Sequence, residues 1–207
     1  DKYQSLGVDA KKVHLSYYGT DINYFFSEKP IPLKCQLGLS NDTKVIAMVA
    51  YMYPPKRYLG QKRGLKGHED LIDAISFVKR TNPNVHLVFI GGDWNCAISY
   101  RNSVESYGRE KLDDSVTFLG NRKDVLDLYP NIDIAVFPSH SENVGGAVES
   151  LLMGVPTITS DVGGFPDLVI SGETGLTVKP KAPKDLSAAI IKYLENIALA
   201  EEHAQKG

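Results

Sequence analysis

The chain has 207 residues, 43% of them hydrophobic, with a formal charge of −2. That length and apolar share can build one domain with a complete core. The near-neutral charge points away from nucleic acid, and no apolar run approaches the ~20 residues of a membrane-spanning helix. Cys35 and Cys96 stand far apart, without a Cys-x-x-Cys or clustered histidines, so they read as two reduced thiols rather than a disulfide framework or metal site.

Taken in chain order, the charged residues 1–12 read as the remnant of a linker, and residues 13–207 as the domain proper. The start at Asp1-Lys2, without a methionine or signal peptide, is the pattern of a piece of a longer protein. Residues 13–17 suggest a short strand entering a turn at Tyr18-Gly19-Thr20-Asp21, and residues 26–43 an irregular excursion. Residues 44–50 form the first fully buried strand. The run from Tyr51 to His68 then carries five basic residues (Lys56, Arg57, Lys62, Arg63, Lys66) and no acid. It precedes a helix over 68–80. A second buried strand, 84–90, ends at Gly91-Gly92, where strand-end geometry calls for glycine. Trp94, the only tryptophan, reads as a lid over the sheet edge. A polar helix over 99–110, a strand over 116–119, a turn at Gly120-Asn121-Arg122 and a short helix over 124–129 follow.

The centre of the chain is residues 133–178. An apolar run over 132–137 ends at Pro138. After a polar loop come Glu142, the pair Gly145-Gly146, and a helical pattern (Val144, Ala147, Val148, Leu151, Leu152) that stops at Gly154 before a strand over 155–159. This strand, loop, helix, strand order puts a helix N-terminus at the carboxyl edge of a parallel sheet, where unpaired N–H groups and partial positive charge suit an anion. Glu142 and Glu149 beside it would be useless to bare phosphate. They suit a phosphate that carries sugars, whose vicinal hydroxyls donate to carboxylates. Residues 174–178 make an edge strand, and 185–201 one amphipathic packing helix. The sum is an α/β, Rossmann-like doubly wound parallel sheet of about six strands. The sequence has no G-x-G-x-x-G, no G-x-x-x-x-G-K-[ST] and no Asp-x-Asp pair.

The stretch FPSHSENVGGAVESLLMGVPTITSDVGGFPDLVISGETGLTV resembles the signature of the nucleotide-sugar-binding, C-terminal half of GT-B glycosyltransferases, specifically glycosyltransferase family 4 (glycosyl transferases group 1). The resemblance implies a retaining, metal-independent hexosyltransferase acting at the cytoplasmic side. It would use a UDP- or GDP-sugar, with a glycan or lipid-linked saccharide as acceptor on a missing N-terminal domain, in cell-surface polysaccharide synthesis. Glu142 and Lys66 would be catalytic. Glu149 would hold the ribose, while Asn143, Gly145 and Gly146 would serve the diphosphate. Gly120, Asn121 and Arg122 would contact the base, and Gly91 and Gly92 stand where relatives carry a similar glycine pair. Two departures stand out. The family's glutamates are one residue further apart, so Ser141 competes with Glu142 for the first carboxylate position. Tyr51 occupies the family's diphosphate arginine position, leaving Arg63 as the expected substitute and Lys56 and Arg57 for peripheral membrane contact. The alternatives are a GT-B nucleotide-sugar epimerase, which shares fold and donor, and a stand-alone nucleotide-binding module.

Overall fold

The apolar runs pair side by side into one sheet. The computed structural model describes residues 2–14, 19, 21–27, 29–142 and 144–207. Six strands, β1 (Lys44–Val49), β2 (Val85–Ile90), β3 (Val116–Phe118), β4 (Ile134–Phe137), β5 (Thr157–Ser160) and β6 (Leu176–Val178), are all parallel, in the order β3-β2-β1-β4-β5-β6. The helices are α1 (Lys2–Ser5), α2 (Leu33–Gln36), α3 (His68–Val78), α4 (Ile98–Leu112), α5 (Val125–Leu128), α6 (Gly145–Leu152), α7 (Phe165–Leu168), α8 (Pro183–Glu195) and α9 (Ile197–Lys206). The expected strand over 13–17 and the turn at 18–21 lie largely outside the described residues. The linker remnant forms α1, and the irregular excursion contains α2, whose Leu33 is buried.

Both faces of the sheet are covered, so β1, β2 and β4 are largely apolar rather than alternating, and β5 buries Thr157, Thr159 and Ser160 beside Ile158. Alternation instead decides which core each side chain enters. Ile46, Met48, Leu87, Phe89, Ile134 and Val136 pack with Leu71 and Ile75 of α3, Val104 of α4 and Ile190 of α8. Val45, Ala47, Val88, Ile90, Ala135 and Phe137 point the other way, toward Leu33, Leu128, Ala147 and Phe165.

The expected single helix over 185–201 is two. Asn196 has φ −130° and ψ 79°, outside the helical region, and its side chain accepts the Leu199 N–H at 3.0 Å as the N-cap of α9. Apolar spacing runs on through the break because both helices pack on the same side, so periodicity alone does not reveal it. Among the described residues, no helix is long and apolar enough to cross a membrane.

Candidate functional site

From β1 the chain works outward through β2 to β3 and then returns to lay β4 on the other flank of β1. At such a switch point the connections leave toward opposite faces, and a crevice opens beyond the carboxyl ends of the strands. A cleft of about 830 Å³ lies there. Its walls are the ends of β1 (Val49 to Tyr51), β2 (Ile90, Gly91) and β4 (Phe137, Ser139), with the first turn of α6 (Gly145, Gly146). The first N–H groups of a helix have no intrahelical acceptor, so α6 offers donors and partial positive charge to this space.

The loop after β4 is held on several sides. Ser160 Oγ, at the end of β5, donates to the Ser139 carbonyl at 2.6 Å, and the His140 N–H donates to the Leu65 carbonyl at 2.8 Å. Gly163 sits at φ +59°, and a Cβ there would lie 1.9 Å from the Glu142 carbonyl oxygen, so the Glu142 backbone rests on that glycine. Gly146 brings α6 equally close to β1, since its Cβ would lie 2.7 Å from the Val49 carbonyl oxygen. On this platform Lys66 forms an ion pair with Glu142, and Ser139 Oγ donates to the same carboxylate at 3.0 Å. Lys66 Nζ also lies 5.4 Å from the centre of the Tyr53 ring. Burial, then Glu142, then Tyr51 push the Tyr53 phenol above its usual pKa, so it stays a protonated donor at neutral pH.

Glu149, one turn into α6, lines the same cleft. Burial raises its pKa, and the hydrogen bond from the Tyr129 hydroxyl, 3.3 Å away, opposes that rise in part. Asn121, Arg122, Val125 and Leu126 form another wall. Arg122 grips Asp124 through Nε and Nη2 at 2.7 and 2.6 Å.

The structure therefore brings Lys66, Ser141, Glu142, Gly145, Gly146, Glu149, Gly91, Asn121 and Arg122 to one cleft. Gly92 and Gly120 stand behind it. The Gly92 N–H donates to Asn121 Oδ1 at 2.8 Å, and the Gly91 N–H to the Gly120 carbonyl at 2.8 Å, which ties the end of β2 to the 120–122 turn. Asn143 lies outside the described residues. Arg63 is a correction. Its guanidinium pairs with Asp70 at 2.5 Å and Asp73 at 2.6 Å, both on α3, and lines a separate pocket with His140 and Lys181. Two carboxylates satisfy it there, which the spacing from Lys66 did not reveal. Trp94, read as a lid over the sheet edge, stacks on Tyr53 beyond the end of β2.

Among the lining residues, Tyr24, Phe25, Tyr53, Lys123 and Ser139 escaped the sequence reading. Tyr24 and Phe25 reach the cleft from the N-terminal segment, and no local pattern announces them. Lys123 follows Arg122 in the turn, where a second cation was there to be read. Tyr53 stands two residues beyond Tyr51, the period that keeps a side chain on one face of an extended segment.

The model of the family described as "Glycosyl transferases group 1" matches residues 57–207. A glycogen synthase of Mycobacterium tuberculosis is 30% identical over 155 residues, covering 72% of this chain and 36% of the relative. A D-inositol 3-phosphate glycosyltransferase of Segniliparus rotundus is 27% identical over 194 residues, covering 92% of this chain and 41% of the relative. The chain thus spans well under half the length of these curated relatives. Among solved structures, Anabaena Alr3699/HepE in complex with UDP-glucose superposes with a TM-score of 0.81 at 25% identity, covering 99% of this chain and 54% of that one.

Proposed function

Because the chain belongs to the glycosyl transferases group 1 family, we propose that it is the donor-binding domain of a retaining, metal-independent glycosyltransferase of family 4. A UDP- or GDP-sugar is the donor, and a glycan or lipid-linked saccharide bound by an N-terminal domain is the acceptor, in cell-surface polysaccharide synthesis. The complexes of HepE with UDP and with UDP-glucose support a nucleotide-sugar ligand. The observation that carries the reading is the convergence of Lys66, Glu142, Glu149 and the α6 N-terminus on the cleft at the switch point.

In this reading Glu149 accepts from the ribose hydroxyls and the diphosphate meets the α6 N–H groups and Lys66. The hexose lies beside Glu142. When the bond between the anomeric carbon and the β-phosphate oxygen breaks, negative charge grows on the leaving diphosphate. A fixed ammonium and helix dipole stabilise that charge more than the ground state, which raises turnover as well as affinity. Calorimetry with UDP, GDP and their glucose and mannose conjugates in EDTA tests the reading. Binding that disappears with chelator and returns with Mg²⁺ or Mn²⁺ overturns the metal-free part, and no binding under either condition overturns the donor site.

Location at the cytoplasmic membrane face belongs to the same proposal. The tip of the basic loop presents Tyr58 and Leu59, 81% and 63% exposed, flanked by the exposed Lys56, Arg57 and Lys62. Cations near anionic lipid contribute about 1 kcal/mol each. Lys56→Ala with Arg57→Ala should lower sedimentation with anionic vesicles and leave nucleotide affinity unchanged; unchanged sedimentation removes the membrane contact.

A further inference from the structure

The backbone of β1 does not stop contributing at Val49. The Met52 N–H donates to the Gly92 carbonyl at 2.8 Å, and the Trp94 N–H to the Met52 carbonyl at 3.3 Å. A parallel bridge joins Met52 to Asp93. Residues 51–53 and 92–94 thus prolong β1 and β2 past the sheet, and side chains alternate along such an extension. Met52 is buried in the core that α3 and α4 cover. Tyr51 and Tyr53, one position to either side, both line the cleft.

Trp94, on the neighbouring extension and behind the cleft lining, packs against both rings. Its ring stacks on Tyr53 with centroids 4.6 Å apart and planes at 22°, and meets Tyr51 edge-on at 5.6 Å. Tyr51 and Trp94 remain 47% and 40% exposed. The fold's two cores do not use these rings. Large aromatic side chains held in place by one another and left half open beside a polar, charged wall are costly to solvate and suited to a ligand with one apolar face.

We propose that Tyr51, Tyr53 and Trp94 form a platform on which a pyranose ring is seated. One face of a pyranose is largely C–H, apolar and slightly positive, and it complements the negative face of an aromatic ring. Its hydroxyls project from the ring edge, where Lys66, against the Tyr53 ring, and Glu142, paired with Lys66, meet them. The inference rests on the reading of the cleft as a nucleotide-sugar site. The pyranose is either the hexose of the donor or a terminal residue of the acceptor.

Calorimetry and Trp94 emission on this chain distinguish the sources and test the platform. The probes are UDP and GDP, UDP-glucose, UDP-galactose, UDP-N-acetylglucosamine and GDP-mannose, and the four corresponding methyl glycosides. For a donor hexose, at least one nucleotide sugar binds about fivefold tighter than its bare nucleotide and alters Trp94 emission where the nucleotide does not. Tyr51→Ala then abolishes that sugar-dependent gain, read as the ratio of nucleotide-sugar to nucleotide affinity within the same variant, and Tyr51→Phe, which keeps the ring, retains it. Equal melting temperatures show that the variants are folded. For an acceptor residue, a methyl glycoside alters Trp94 emission and Tyr51→Ala removes the response, even if no nucleotide binds and the donor reading fails. A sugar-dependent gain that survives both Tyr51→Ala and Tyr53→Ala overturns the platform and leaves the donor site standing. If no sugar, free or nucleotide-linked, gains affinity or perturbs Trp94, the platform is equally overturned.

Discussion

Lys66 and Glu142 form an ion pair on the wall of the cleft, with side chains only 16% and 8% exposed. So little solvent reaches the pair that losing one partner leaves the other charge poorly compensated. On the proposed donor reading, a diphosphate arriving at Lys66 would have to share it with Glu142. Glu142→Gln should therefore lower the melting temperature, because the ammonium loses its counter-charge, and tighten UDP by about fivefold, because an incoming anion now supplies it. The same change should erase the advantage of a nucleotide sugar over its nucleotide. Calorimetry with both ligands decides the matter, and weaker UDP binding would place Glu142 in direct support of the nucleotide.

Arg63 should behave in the opposite way. It is committed to Asp70 and Asp73, and Asp70 also pairs with His140 of the loop that carries Glu142. Burial pushes the Asp70 pKa up, but the hydrogen bonds from His140 and Arg63 outweigh it and hold the carboxyl below its ordinary 3.8. A carboxyl depressed on folding contributes stability that is present above pH 3.8 and lost as pH falls through the lower, folded value. Arg63→Ala should cost about 1–3 kcal/mol at pH 7 and shrink that acid reserve, while UDP affinity stays within about twofold. Urea melts at neutral and acid pH, paired with calorimetry, give the answer, and a large loss of UDP affinity would return Arg63 to the cleft.

The contrast between these two residues shows what a sequence can and cannot disclose. The sheet was legible because its inner strands carry apolar runs, such as the five residues after Lys44 in Lys44–Val49. Glu142, Gly145, Gly146 and Glu149 were legible because one strand end and one helix start carry them all. Arg63 was misplaced because proximity to Lys66 in the chain says nothing of Asp70 and Asp73, which α3 turns toward it. Tyr24 and Phe25 enter the cleft from a distant segment without periodicity. The break at Asn196 depends on one cap, which no apolar pattern reports.

On the proposed donor reading, nucleotide binding should be sensitive to acid through Glu149. Burial raises its pKa above 4.5, and the Tyr129 hydroxyl works against that rise. The ionised carboxylate is the form that accepts from ribose hydroxyls, so UDP affinity should fall as pH drops through the raised value. Tyr129→Phe removes the bond that favours the charged form, and the acid limb should move to higher pH. The phosphates titrate alike in both proteins, so the difference between the two affinity profiles isolates Glu149. Superimposable profiles would remove Glu149 from the ribose.

His68 should contribute to the acid sensitivity of the fold. The first residue of α3 is fully buried, its ring 5.2 Å from that of Phe89. Burial, opposed in part by the Ala50 backbone and reinforced by the neighbouring charge of Lys66, lowers its pKa from 6.5 to about 3. Below pH 6.5 the unfolded chain binds a proton at this imidazole that the folded chain refuses until about pH 3. The contribution of His68 is therefore complete above pH 6.5 and declines as pH falls, by about 1.4 kcal/mol for each pH unit. The pKa of His86 is also lowered, by burial and by Lys79, and it adds to the slope in the same direction. His68→Leu keeps an apolar side chain in the same pocket and deletes only the first of these terms. Urea unfolding of both proteins between pH 7 and about pH 4.5 should show the variant losing roughly 2–3 kcal/mol less than the parent. Parallel stability curves would mean that the imidazole of His68 takes up its proton in the folded chain as readily as in the unfolded one.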